Sequence, residues 1–199
     1  MPRALTDDER SRAHERLLSE GRERFIKMGL AKTTIDALAK AAGIGKGSFY
    51  QFYPSKEALF IAVAQREEQY FRAELLAALD GDGDARSKFT RLLRAPFDRL
   101  HRHPFLHLLL DPETVATLAV RLEPDALAAN EADDRAFFTS IATRWIDEGV
   151  LRETVDPLEV FDALAGLFLV AVQQHSLGPE TRERVINVLI AALVDRWTR

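Results

Sequence analysis

Apolar residues recur along this chain at helical spacing, and no stretch alternates strictly enough to read as a strand. Ala13, Leu17, Gly21, Phe25 and Met28 lie four, four, four and three apart, which predicts one face of a helix ending near Gly29. Thr33 and Thr34 then precede Ile35, Leu38, Ala39 and Ala42, a short apolar-periodic run that stops at Gly43. That order predicts a capped helix of about two turns, closed by glycine. A second short helix is predicted from about Gly45 to Tyr53. Pro54-Ser55-Lys56-Glu57 ends it and starts another, with Ser55 as N-cap and Glu57 in the first turn, where a carboxylate is favoured. The resulting long helix spans about 55–79. Further helices are predicted at about 85–102, 104–122, 124–149, 157–176 and 180–198, punctuated by Pro104, Pro112, Pro124, Pro157 and Pro179. The fold class is all-α.

The 199 residues, 47% hydrophobic and 29% charged, have an ordinary globular composition. Cysteine is absent, which excludes disulfides, thiolate chemistry and Cys-based zinc sites and fits a reducing compartment. The first ten residues lack the apolar core of a signal peptide. The longest apolar stretch, Ala163–Val172, is interrupted by Gly166 and falls well short of the roughly 20 residues of a spanning helix. A cytoplasmic protein with no membrane partner is expected. The net charge of −4 is unevenly spread. Residues 1–56 hold 11 Lys and Arg against 7 Asp and Glu, whereas the remainder holds 16 against 24. A basic N-terminal unit on an acidic remainder is the pattern of a polyanion-binding module joined to a second domain.

The stretch AAGIGKGSFYQF, residues 41–52, decides what that module binds. A Walker-type phosphate loop needs Gly, four residues, then Gly-Lys-Ser/Thr, but Lys40 stands at the first position and Gly47 at the last. The dinucleotide fingerprint fails as well, because its third glycine falls one position early. Both motifs also need a preceding strand, and a helix stands there. A helix-turn-helix meets the spacing: Gly43 ends one helix, Ile44 pins the pair, and Gly45 opens a second helix able to reach base edges in a major groove. Lys46, Ser48 and Gln51 offer donors and acceptors from it, and Tyr50 a phenol suited to a phosphate.

Thr33 to Tyr50, followed by Pro54-Ser55-Lys56-Glu57-Ala58-Leu59, resembles the TetR (tetracycline-repressor-like) family of transcriptional regulators over about residues 9–60. The resemblance implies a three-helix DNA-binding domain at 1–54 and an effector-binding and dimerisation domain at 55–199. It implies that Thr34 caps the second helix and touches a phosphate, and that Lys46, Gly47, Ser48 and Gln51 face the major groove. Tyr50 would hold a backbone phosphate and Lys56 another. Thr33 and Gly45 complete the expected DNA-binding set. The chain departs from the family at Gly45, where Ser is common, and at Phe52-Tyr53, where a polar aromatic precedes Phe. Phe52 cannot donate to a phosphate, so Tyr53 is the expected source of that hydroxyl.

In the second half, 157–176 and 185–197 are apolar on nearly every side, and such helices need covering on every side. The expected cover is a second copy of the chain, in a four-helix bundle formed by 157–176 and 180–198. A small, largely apolar effector is expected among the later helices, with Phe105, His107, Phe138, Trp145 and Gln173 as candidate lining. Asp80-Gly81-Asp82-Gly83-Asp84 resembles a calcium loop, but Ala85 and Arg91 occupy the positions that need Gly and Glu. His103, His107 and Asp111 share helical spacing, yet Pro104 and Pro112 interrupt that helix, and polar lining or surface is the preferred reading over a metal site. No cofactor, metal or catalytic constellation is expected. The predicted protein is a dimeric regulator, a repressor released from a palindromic operator by its effector. The alternative is a helical small-molecule-binding or interaction module with an inactive head.

Overall fold

The computed structural model describes residues 6–121, 124–172 and 178–198. The chain runs through α1 (Asp7–Lys32), α2 (Ile35–Ala41), α3 (Lys46–Phe49), α4 (Lys56–Leu79) and α5 (Ala85–Arg102). It continues through α6 (Pro104–Leu109), α7 (Pro112–Arg121), α8 (Pro124–Asp147), α9 (Pro157–Val172) and α10 (Pro179–Trp197). No strand occurs among the described residues; Leu151 and Thr198 form an isolated bridge.

Local chemistry accounts for most boundaries. Thr6 and Glu9 form a capping box at the start of α1, each side chain accepting from the other's backbone N–H. The backbone leaves helical geometry at Gly29 (φ 74°), where the sequence predicts the end, and a last turn follows to Lys32. Ser55 accepts from the Ala58 N–H and so caps α4. The single helix expected over 104–122 is two, because Pro112 has no N–H to continue the ladder. Asp111 opens the second, accepting from the N–H and hydroxyl of Thr114. Asp111 is thus a capping residue rather than the third member of a metal set. No group of three metal-ligating side chains occurs among the described residues.

The chain divides into two compact units, one of residues 1–70 and 103–123, the other of 71–102 and 124–199. In the first, Leu17, Phe25, Leu38, Phe49, Leu59, Phe60 and Phe105 form the core. Gly21 lets α1 approach α4: a Cβ there would stand 3.2 Å from Leu59 Cδ2. Phe60 meets Phe25 edge-on at 5.1 Å and Phe105 at 4.8 Å. In the second unit, Phe89, Trp145, Leu164, Ile186, Ile190 and Trp197 belong to one core. Arg72 there holds Asp133 and Asp134, each at 2.7 Å, and stacks over Phe137. α9 buries Val160, Leu164 and Leu167, and α10 buries Ile186, Ile190 and Val194. Their other sides stay open, with Leu169 62% and Val188 68% exposed.

Candidate nucleic-acid interface

The α2–α3 turn is built by its glycine. Gly43 sits at φ 71°, a left-handed conformation open to glycine without a Cβ penalty. That geometry lets the Ile44 N–H reach the Ala39 carbonyl at 2.9 Å and the Gly43 N–H reach the Lys40 carbonyl at 3.2 Å, the Schellman closure of a helix. Thr34 caps the other end of α2, its hydroxyl accepting from the Ala37 N–H at 3.2 Å. α3 begins at Gly45 with no side-chain cap. It is shorter than the predicted 45–53: after Phe49, three-residue turns carry the chain on, with Gln51 bonded to Ser48 and Phe52 to Phe49.

The structure presents Thr34, Gly45, Lys46, Gly47, Tyr50 and Gln51 at the surface, with Ser48 half-buried beside them. Gly45 and Gly47 have open space where a Cβ would stand, so another backbone can come close. The apolar side of this pair is locked down by Leu38, Ala39, Ala42 and Phe49. Lys46 is drawn to Asp36 of α2, with Nζ 3.1 Å from its carboxylate.

Three expected contact residues are committed elsewhere. Thr33 is buried, and its hydroxyl donates to the Gly29 carbonyl at 2.7 Å, closing α1. Lys56 donates to the carbonyls of Leu30, Ala31 and Thr33, so its ammonium neutralises the C-terminal end of α1 instead of standing ready for a phosphate. Tyr53 is only 9% exposed, and its hydroxyl lies 2.8 Å from His14 Nε2. Burial, and then the charge of Glu15, push its phenol above the ordinary value. The hydroxyl expected at Tyr53 for DNA is therefore part of the packing between α1 and the segment that follows α3.

The candidate effector residues divide between the two units. Phe105 is fully buried in the first unit's core, and His107 is exposed on the same helix. In the second unit Trp145 is buried against Phe89, and half-buried Phe138 lies 5.1 Å from Phe137. Gln173 lies outside the described residues. Among the described residues of the second unit, two clefts run along α5, lined by other residues. One, of about 630 Å³, runs between α5 and α10 and includes Arg86, Thr90, Arg94, Asn187 and Ile190. The other, of about 440 Å³, lies between α4 and α5 and includes Phe71, Leu75, Ala95 and Arg91. No described helix is long and apolar enough to cross a membrane.

Two helices joined by a glycine turn, with a polar, sterically open start to the second, define a helix-turn-helix DNA-binding head. Residues 17–63 match the family described as bacterial regulatory proteins, tetR family. Over that segment the chain is similar to the transcriptional regulators of that family. It is 32% identical over 106 residues to the transcriptional regulator AcuR of Cereibacter sphaeroides, a match covering 52% of this chain and 47% of that relative. The chain thus matches about half the length of this curated relative. A TetR-family regulator structure from Pectobacterium atrosepticum superposes with a TM-score of 0.70 at 21% identity, covering 95% of this chain and 94% of the other. The regulator FadR from Bacillus subtilis, solved with stearoyl-CoA, gives 0.63 at 18%, covering 91% and 97%. At these identities the structures show a shared fold.

Proposed function

We propose that the chain is a repressor that reads a palindromic operator as a homodimer and lets go when a small, largely apolar effector binds. The α2–turn–α3 surface carries this reading. It exposes Lys46, Tyr50 and Gln51 around two glycines whose missing side chains leave room for a base edge or phosphate. DNA binding is assigned to 1–54, and effector binding and dimerisation to 55–199, with the long helix of about 55–79 between. The open apolar sides of α9 and α10 support pairing of 157–176 and 180–198 with a second copy. Two heads at fixed separation then read two half-sites, and an effector favouring another separation by roughly 1–3 kcal/mol releases the operator. The α4–α5 cleft is the proposed effector site: its wall is partly apolar, with Arg91 and Arg94 as polar anchors. The fatty-acyl ligand of the B. subtilis relative supports an effector of apolar character. A cytoplasmic location is part of the same reading.

The test is selection of bound fragments from a genomic pool at about physiological salt, with Lys46→Ala/Tyr50→Ala run beside the wild type. One palindromic sequence should be enriched and lost in the double variant. No enrichment, with or without candidate small molecules, sinks the reading and leaves a helical binding module with an inactive head.

A further inference from the structure

The cations that the motif supplies around α3 are largely spoken for. Lys46 is paired with Asp36, and Lys56 donates to three carbonyls at the end of α1. Phe52 has no polar group to offer. Arg10, 41 residues before Gln51, stands at this place instead. Its guanidinium carbon lies 5.3 Å from the centre of the Phe52 ring, and Nη2 donates to the Gln51 carbonyl at 3.3 Å. Phe52 is itself stacked on His14 of α1 at 6.2 Å, and His14 holds the Tyr53 hydroxyl. No described carboxylate pairs with Arg10. Its neighbour Arg12 is matched with Asp8 at 2.6 Å.

We propose that Arg10 is a DNA-backbone contact: a guanidinium pinned by Phe52 and the Gln51 carbonyl at the C-terminal side of the reading helix, poised for an operator phosphate. The inference rests on the reading that α2 and α3 face DNA. The aromatic platform and the carbonyl restrict the guanidinium while using one of its five N–H donors, and the rest remain for phosphate oxygens. Phe52, useless as a donor, serves as the shelf for a cation delivered from another helix. A contact of this kind positions the head without reading sequence.

The experiment is fluorescence anisotropy of the full-length protein on the enriched operator and on random duplex DNA, from about 50 to about 200 mM salt. Arg10→Ala should weaken both by similar factors and make the log–log salt slope shallower by about 0.9, as expected when one fewer phosphate is neutralised. Over that fourfold salt range the wild type should lose about 3.5-fold more affinity than the variant. Arg10→Lys should keep the slope, and Arg12→Ala should leave it unchanged. Thermal unfolding is followed in parallel; if Arg10→Ala is poorly folded, Arg10→Gln, which keeps a donor for the carbonyl without the charge, carries the test. An unchanged slope in the folded charge-removing variant, or an equal weakening by Arg12→Ala, overturns the proposal. Absence of any salt-steep binding by the wild type instead overturns the DNA-reading assignment on which it depends.

Discussion

The turn at Gly43 and the open side of α9 around Gly166 both place glycine where a helical protein usually avoids it, and the two sites differ in kind. At Gly43 the reason is inside the chain. The backbone has a positive φ, the following N–H groups close α2, and the side chains on either side are fixed by the first unit's core. At Gly166 nothing among the described residues explains the glycine. A Cβ there would meet no atom within 4 Å, the backbone is helical, and Leu169 on the same helix is largely exposed. Local backbone chemistry is therefore legible from one chain. A helix face left open by the described residues points to a partner that local backbone chemistry does not specify.

The largest expected effects test the two cores. Phe49→Ala and Trp145→Ala each remove a fully buried aromatic and should cost about 3–5 kcal/mol in urea unfolding. They should part in function: Phe49→Ala abolishes operator binding, whereas Trp145→Ala retains it below its lowered melting temperature. Equal loss of DNA binding at low temperature would erase the distinction.

Lys56→Ala comes next. Three carbonyls are deprived of a charged donor, and about 1.5–3 kcal/mol of stability should go with it. Its salt slope for DNA should match the wild type; a shallower one would return Lys56 to the phosphate-binding set.

The glycine pair separates by sign. Gly43→Ala should destabilise by roughly 1–2 kcal/mol, because an L side chain is forced into the left-handed region. Gly166→Ala should stabilise a lone helix by about 1 kcal/mol, since alanine is the better helix former. Melting curves across protein concentration sharpen the point. A gain in dilute solution that becomes a loss on concentration marks this face as the dimer seam; a gain at every concentration removes Gly166 from it.

The smallest effect is electrostatic. Asp84 accepts from the Ser87 N–H at the start of α5, and the hydrogen bonds from Ser87 hold its carboxyl below the ordinary range. A depressed native value means the contribution is present above the usual carboxylate range and fades as pH falls through that native value. Asp84→Asn should therefore lower stability slightly near neutrality, make little difference in strong acid, and so flatten the acid limb of the stability–pH curve; unfolding midpoints against pH would reveal a contrary trend.

Much of the head could be read directly. Thr34, Gly43 and Ser55 act on groups within a few residues, so their roles follow from order along the chain. The break at Asp111 and Pro112 is equally local, and the expected continuous helix overlooks that a proline with a capping carboxylate before it starts a new one. Lys56 and Tyr53 could not be placed this way. Their partners stand 23 to 39 positions away, and a hydroxyl or ammonium looks the same in sequence whether it faces a phosphate or a carbonyl.

By itself the sequence determined the all-helical class, the capped glycine turn and the charged head, because these rest on neighbour-to-neighbour sterics and hydrogen bonds. Only tertiary structure decided which polar groups remained free, engaging Thr33, Tyr53 and Lys56 internally, setting Arg10 over Phe52, and burying Phe105 and Trp145 in separate cores. Burial and pairing belong to residues brought together by folding, and linear spacing does not encode them.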